Sequence, residues 1–174
     1  MFFTTISDEP GSPILLVELL RYFDGEPNYV LSGYVIKILS LMYYHEPMRI
    51  HNVLIETGTP IKMLRFVSSL SVTEFLLKFV IVENEVLLNI NFKERREVFD
   101  RVVQIYEQNS ESPEVLTSVQ YMLTEAIVRL WSQKHKELGR FSQQMLRLIE
   151  VIIEKVRLAL RRTISMSRSR WCIW

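Results

Sequence analysis

The chain has 174 residues, of which 48% are hydrophobic and 24% charged, and its formal net charge is +1. This composition is typical of one folded domain and excludes a chain that is disordered throughout. The single cysteine excludes a disulfide framework and favours a reducing compartment, so we expect a cytoplasmic, possibly nuclear protein. No apolar run approaches 18 residues, and the N-terminal MFFTTISDEP lacks the basic start of a signal peptide. We therefore expect no transmembrane segment.

The charges are distributed unevenly along the chain. From Lys155 onward there are six basic residues and no acidic one, which leaves 15 basic against 20 acidic residues in 1–154. The body is therefore mildly acidic, and residues 155–170 are basic. Such a segment could lie on an anionic membrane or contact nucleic acid. An excess of six positive charges is nevertheless small for phosphate binding by a whole domain.

Helix signals follow one another from the N-terminal end. Ser12 and Pro13 predict the start of the first helix, and a proline at position 27 precedes the second. Pro47 ends this second helix. Gly58 then predicts the C-terminal cap of the next helix, and Pro60 predicts the start of a further one.

Further helices are predicted by capping signatures. Ser71 with Glu74, and Asn91 with Glu94, each have the spacing of a capping box. A proline after Ser112 opens a long helix that we expect to close near position 139. In the last helix, one apolar stripe is predicted to comprise Phe141, Met145, Leu148, Ile149, Ile152, Val156 and Leu160. The β-branched residues near 81–90 leave a short strand open as an alternative.

An internal repeat organises these helices. YVIKILSLM at Tyr34 and FLLKFVIVE at Phe75 share one pattern of residue types, and a third long helix follows around Gln120. The two patterns begin 41 residues apart. A period of this length is typical of HEAT and armadillo repeats, in which each helical unit covers its neighbour. The sequence therefore predicts an all-α, HEAT/armadillo-like right-handed α-solenoid of about 7–8 helices. We expect an extension at 1–12, the repeat domain at 13–139, a capping helix at 140–163 and a basic tail at 164–174.

The second helix is apolar on almost every side. If neighbouring helices cover it, its only solvent-exposed line would be Gly33, Lys37, Ser40 and Tyr44. The corresponding line in the second unit is Ser71, Glu74 and Lys78. The candidate partner-binding residues are accordingly Lys37, Glu74 and Lys78.

Motifs for catalysis and for cofactor binding are missing from the sequence. His45 and His51 are six residues apart with a proline between them, whereas a zinc-protease helix needs histidines four apart. No glycine-rich phosphate loop occurs, and Cys172 has no nearby base in the sequence. The sequence therefore favours a protein that is not an enzyme and has no metal or cofactor, with a helical-bundle enzyme as the weaker reading.

The segment RRTISMSRS contains possible phosphorylation sites. Thr163, Ser165 and Ser167 follow basic residues, as in targets of basophilic kinases, and a phosphate would reverse part of the local charge. A solvated, charged terminus is the simpler explanation of this composition.

The helices and turns from about position 13 to 130 resemble the SAPS domain family. The similarity rests on LLVELLRYFDGEPNYVLSGYVIKILSLMYYHEPMRIHNVLI, on IKMLRFVSSLSVTEFLLKFVIVEN and on REVFDRVVQIYEQNSESPEVLTSVQYMLTEAI. SAPS proteins are regulatory subunits of serine/threonine protein phosphatases of the phosphatase 6 (Sit4-like) type. The resemblance implies a helical scaffold that binds the catalytic subunit and directs it to substrates, without an active site of its own. The competing hypothesis is an adaptor that works through the basic segment on a membrane or nucleic acid.

Overall fold

The computed structural model describes residues 14–82, 87, 90–108, 112–132, 139 and 141–171. Within these ranges the side chains of 132, 156 and 158–171 are not described. The described residues form α-helices and short 3-10 turns, and none of them lies in a β-strand. The prediction of an all-α chain is therefore confirmed.

Eight α-helices are present in the described ranges. They are α1 (Ile14–Leu20), α2 (Tyr29–His45), α3 (Pro47–Glu56), α4 (Thr59–Met63), α5 (Leu70–Val80), α6 (Phe92–Glu107), α7 (Pro113–Ser132) and α8 (Ser142–Trp171). Two 3-10 turns, Arg21–Asp24 and Leu64–Phe66, follow α1 and α4. No helix in the described ranges is both long enough and apolar enough to cross a membrane.

Local chemistry explains where several helices begin and end. The Asn28 side-chain oxygen accepts hydrogen bonds from the backbone N–H groups of Val30 (3.2 Å) and Leu31 (3.1 Å), which caps the start of α2. Pro47 is the first residue of α3, where a proline needs no backbone hydrogen-bond donor. Gly58 has φ of +62°, the left-handed conformation that was predicted for a residue after a helix end.

The capping-box prediction at Ser71 and Glu74 is wrong. Helix α5 begins at Leu70, so Ser71 already lies inside it. The N-terminal flanking residue is Ser69, whose hydroxyl accepts a hydrogen bond from the Ser32 hydroxyl (3.2 Å) instead of capping the helix. The Ser69 side chain therefore joins α5 to α2. At α6 the flanking residue is Asn91, as predicted, but its side chain makes no capping hydrogen bond either.

Three helices lie side by side, with α5 between α2 and α7. Near their N-terminal ends, α5 meets α2 through the two serines, and the Ser118 hydroxyl donates to the carbonyl of Ser68 just before α5 (3.5 Å). At their other ends, side chains of Tyr43, Lys78 and Arg129 line one pocket. The three helices therefore run in the same direction.

The other helices pack around this row. Helix α3 packs on α2, and α4 packs on α5, on α6 and on the turn Arg21–Asp24. Helix α6 contacts α5, α7 and α8. Their junctions bury large aromatic side chains, each under 2% exposed: Phe23, Phe66, Phe79, Phe99 and Phe141. One continuous hydrophobic core therefore extends from α1 to the first turns of α8.

The predicted stripe of the last helix is only partly covered. Phe141 and Leu148 are buried, and Met145 is partly buried against the core. Ile149 and Ile152 are exposed, although the prediction placed them on the same stripe. Val156 and Leu160 lie outside the described side chains. The helical backbone continues to Trp171, through part of the segment expected to be a tail.

The strand alternative near 81–90 falls partly outside the described ranges. Ile81, Val82, Leu87 and Ile90 are not in a strand. Residues 83–86 and 88–89 lie outside the description. Ile81 and Val82 are buried just after α5, and Ile81 belongs to the same hydrophobic core as the helix.

Candidate functional site: the uncovered face of α2

An apolar strip runs along the whole outer side of α2. We call it the α2 face, and its members are Val30, Tyr34, Lys37, Ile38, Leu41 and Tyr44. Their spacing of three and four residues places them on one side of the helix. Tyr34 is 65% exposed and Tyr44 is 82% exposed, while Ile38 and Leu41 are about half exposed. The only charged member is Lys37.

The α2 face differs from the solvent-exposed line that the sequence predicted for this helix. Lys37 and Tyr44 are exposed as expected, but Gly33 and Ser40 are only partly exposed. Gly33 faces α5, because a Cβ atom at this position would lie 3.9 Å from the Ser71 hydroxyl oxygen. Since α5 covers this side, the open side of the helix is rotated toward Tyr34. The prediction that the exposed residues of α2 form only the line Gly33, Lys37, Ser40 and Tyr44 is therefore wrong, because Tyr34, Ile38 and Leu41 are exposed as well.

The size of the α2 face makes it a candidate interaction surface. An aromatic side chain has about 150–250 Å² of surface, so Tyr34 and Tyr44 alone expose roughly 300 Å². The largest contiguous apolar patch on a monomeric protein is typically about 300–600 Å² and often functional. Aromatic and aliphatic side chains around a single lysine are also the composition of a protein-binding core.

The predicted partner-binding residues are all exposed. Lys37 lies on the α2 face, while Glu74 and Lys78 lie one turn apart on the neighbouring helix α5. Within the described part of the chain, neither lysine has an ion-pair partner. Lys78 lines the pocket at the C-terminal end of the helix row, away from Leu70 and the start of α5. The structure thus places the three residues on two adjacent helices.

The possible phosphorylation sites cannot be placed on a surface. Thr163, Ser165 and Ser167 fall in the helical backbone of α8, but their side chains lie outside the description. Cys172 also lies outside the described residues. The phosphorylation of Thr163, Ser165 and Ser167 therefore stays a prediction from the sequence.

A buried polar cluster lies behind α2. The Tyr43 hydroxyl and His51 Nδ1 are 3.2 Å apart, and the His51 ring stacks on Phe79. Burial, with the nearby Arg95 charge, lowers the pKa of His51 to about 4. Burial raises the pKa of Tyr43 to about 12, against the opposing effect of Arg95. The histidine is therefore neutral near pH 7.

This cluster does not have the geometry of an active site. His51 is fully buried, so its ring is closed to substrate, and its Nε2 atom has no hydrogen-bond partner. His45, in contrast, is exposed at the end of α2. The two histidines are therefore not brought together. Among the residues that the structure describes, no group of three His, Cys, Asp or Glu side chains is arranged to hold a metal ion.

Comparison with known proteins adds no relative. The chain matches no protein-family model, no curated protein and no solved structure. The α2 face and the resemblance to SAPS proteins are therefore the two features that point to a function.

Proposed function

We propose that this chain is a non-catalytic, protein-binding scaffold of the HEAT/armadillo-like type, and that the α2 face receives the partner. The observation that carries the proposal is the largely apolar strip from Val30 to Tyr44 on a helix whose opposite side is packed in the core. An amphipathic helix of a partner would cover such a strip with residues spaced three and four apart. Lys37 would then favour an acidic residue on the partner.

The arrangement of the helices supports the repeat reading. Helices α2, α5 and α7 lie side by side in one direction, and α3, α4 and α6 connect them. This is the layout expected when each repeat contributes one helix to a common row. A row of this kind offers an extended surface, and α2 is the member at its edge. The right-handed stacking belongs to the same proposal.

The partner we propose is the catalytic subunit of a phosphatase 6-type serine/threonine phosphatase. This choice follows from the resemblance to SAPS proteins, whose role is to hold that subunit and direct it to substrates. The chain itself would supply shape and charge, and the catalytic chemistry would belong to the partner. Lys37, Glu74 and Lys78 remain the candidate charged contacts.

The test is direct binding to a purified phosphatase 6-type catalytic subunit, measured by biolayer interferometry. We expect Tyr34→Glu and Leu41→Glu each to weaken binding at least tenfold, because each places a charge in the apolar contact. Leu146→Glu is the matched control, since Leu146 is similarly exposed but lies on α8. If the unmodified chain does not bind, the phosphatase catalytic subunit is not its partner. If both α2 variants bind as tightly as the unmodified chain, the α2 face is not the binding surface.

Helix α8 favours a second candidate function, association with an anionic membrane. Leu146, Ile149 and Ile153 are exposed on one side of this helix, which leads into the basic segment 155–170. Flotation with vesicles that contain phosphatidylserine tests this function. Deletion of residues 155–174 should abolish flotation if the segment anchors the chain, whereas phosphatase binding should be unaffected.

A further inference from the structure

A pocket of about 310 Å³ opens where the C-terminal ends of α2 and α5 approach α7. Its walls are apolar and come from Tyr43, Pro47, Ile81 and Leu87. The pocket is at the lower end of the volumes found for ligand sites, about 300–1,000 Å³. It is therefore suited to one side chain or a short hydrocarbon group rather than to a nucleotide or a large cofactor.

Two cationic side chains lie at this pocket. Lys78 comes from the last turn of α5, and Arg129 comes from α7. Arg129 also pairs with Glu125, whose carboxylate oxygen is 3.7 Å from the arginine Nε atom. Glu46, next to the pocket wall at Pro47, is paired with Arg49 at 3.2 Å. Lys78 has no such carboxylate partner in the described part of the chain, so the described lining combines apolar walls with a net positive charge.

We propose that this pocket binds a carboxylate attached to an apolar group. The apolar group would lie against Ile81 and Leu87, and the carboxylate would accept hydrogen bonds from Lys78 and Arg129. An apolar cation would meet two like charges, and a small inorganic anion would leave the walls unfilled. The ligand class is therefore defined by both ends of the molecule together.

Two sources could supply this chemistry, a fatty acid or the C-terminal residue of a peptide. Decanoate represents the first source. An N-acetylated tripeptide that ends in phenylalanine with a free carboxylate represents the second. The same tripeptide with a C-terminal amide, and decyltrimethylammonium in place of decanoate, keep the apolar group but remove or reverse the charge.

The experiment is a titration of the full chain with each probe at low salt, followed by NMR. We expect the amide signals of Ile81 and Leu87 to shift with a saturable 1:1 isotherm for at least one carboxylate probe. The corresponding amide or ammonium compound should bind at least tenfold more weakly. The probe that binds more tightly identifies the source, and failure of both carboxylates to bind would overturn the proposal.

Substitutions then show whether Lys78 and Arg129 contribute to carboxylate binding. Lys78→Gln and Arg129→Gln should each weaken carboxylate binding about fivefold, as expected for a charge-assisted hydrogen bond that is partly exposed. Lys93→Gln is the matched control, because it removes an exposed lysine of α6 that does not line the pocket. Equal affinity in all three variants would mean nonspecific adsorption to apolar surface and would overturn the proposal.

The pocket shares Tyr44 with the α2 face and Lys78 with the candidate partner contacts, whereas Tyr34 belongs to the α2 face alone. Tyr34→Glu disrupts the centre of that face but is not part of the pocket. It should therefore leave carboxylate binding unchanged while it weakens protein binding. Loss of both activities in this variant, with the fold retained by circular dichroism, would contradict the assignment of two separate sites.

Discussion

The rings of His51 and Phe79 stack with their centroids 4.7 Å apart and with 20° between their planes. This contact joins α3 to α5 inside the core, where both side chains are fully buried. The neutral imidazole behaves there as a flat, largely apolar ring. Because protonation would place a charge in a buried site next to Arg95, the contact depends on pH.

We expect the free energy of unfolding to fall as the pH drops from 6.5 to 4. In the unfolded chain His51 has its ordinary pKa of 6.5, while in the folded chain its pKa is about 4. Between these values the unfolded chain binds a proton that the folded chain does not, so acid favours unfolding. The contribution is fully present above pH 6.5, and its loss amounts to about 2–3 kcal/mol at pH 4.

Urea unfolding of the wild type and of His51→Leu across this range checks the expectation. Carboxylates titrate in both proteins, so the informative quantity is the difference between their free energies of unfolding. This difference should change by the stated amount between pH 7 and pH 4. A difference that stays constant with pH would show that His51 is protonated as easily in the folded chain as in the unfolded one.

The second prediction concerns Phe141, which anchors the start of α8. Its ring lies 5.2 Å from that of Phe92 and 5.6 Å from that of Phe99, and it is fully buried. Phe141→Ala should lower the free energy of unfolding by about 3–5 kcal/mol, because it leaves a cavity between α6 and α8. Ile149→Ala, at an exposed position of the same helix, should change it by less than about 0.5 kcal/mol.

Hydrogen exchange distinguishes local from global effects of Phe141→Ala. Amides in the first turns of α8 should lose more protection than those of α2, because the ring contacts lie at the α6–α8 junction. Equal loss of protection in both helices would mean that α8 does not open as a separate unit.

The third prediction compares two glycines with opposite backbone requirements. Gly58 has φ of +62°, which side chains with a Cβ rarely adopt, so Gly58→Ala should destabilise the protein by about 1 kcal/mol. Gly33 lies inside α2, and a Cβ there would make only ordinary contact with Ser71. Gly33→Ala should therefore stabilise the protein by about 0.5–1 kcal/mol. Thermal unfolding of both variants measures the direction of each change in stability. A shift of both midpoints in the same direction would contradict the opposite backbone requirements of Gly33 and Gly58.

The fourth prediction concerns the ion pair between Arg147 and Glu107. The arginine Nε and Nη2 atoms donate to the two carboxylate oxygens at 2.8 and 2.6 Å, which joins α8 to the end of α6. The hydrogen bond to Glu107 holds the pKa of Arg147 above its usual value. Arg147→Lys keeps the charge but loses the paired geometry, so it should lower the free energy of unfolding by about 0.5 kcal/mol.

A double-mutant cycle with Glu107→Gln isolates the coupling between these two side chains. Because Arg147 is exposed and Glu107 is partly exposed, solvent ions screen the pair, and the coupling energy should be larger at low than at high salt concentration. A coupling energy that does not depend on salt would show that packing of the arginine stem, rather than charge, joins the two helices.

Local signals in the sequence identified much of the helical framework. Pro47 and Gly58 act through the backbone of their own neighbourhood, and the structure has each of them at a helix boundary. The signal at Ser71 failed because a contact distant in sequence decided the start of α5. Ser69 and Ser32 are far apart in the chain, so their hydrogen bond could not be read from the α5 segment alone.

The candidate sites were harder to predict for the same reason. Helix α2 is apolar nearly all round, so its sequence does not show which side its neighbours cover. That choice is made by α3 and α5, and it leaves Tyr34 outside and Leu39 inside. Lys78 was identified as exposed, but its pocket depends on Arg129 from a later helix, and no local pattern connects the two residues.

The side-by-side row of α2, α5 and α7 also has a consequence for the way the chain folds. Each member of the row packs on the next member along the chain, through contacts such as Ser32–Ser69 and Ser68–Ser118 that are 37 and 50 residues apart. Helical proteins fold faster than proteins dominated by non-local strand pairing, typically on the microsecond to millisecond timescale. Helix α5 contacts both outer members, so its collapse onto α2 prepares the surface on which α7 settles. We therefore expect the order of folding to follow the order of the helices in the chain.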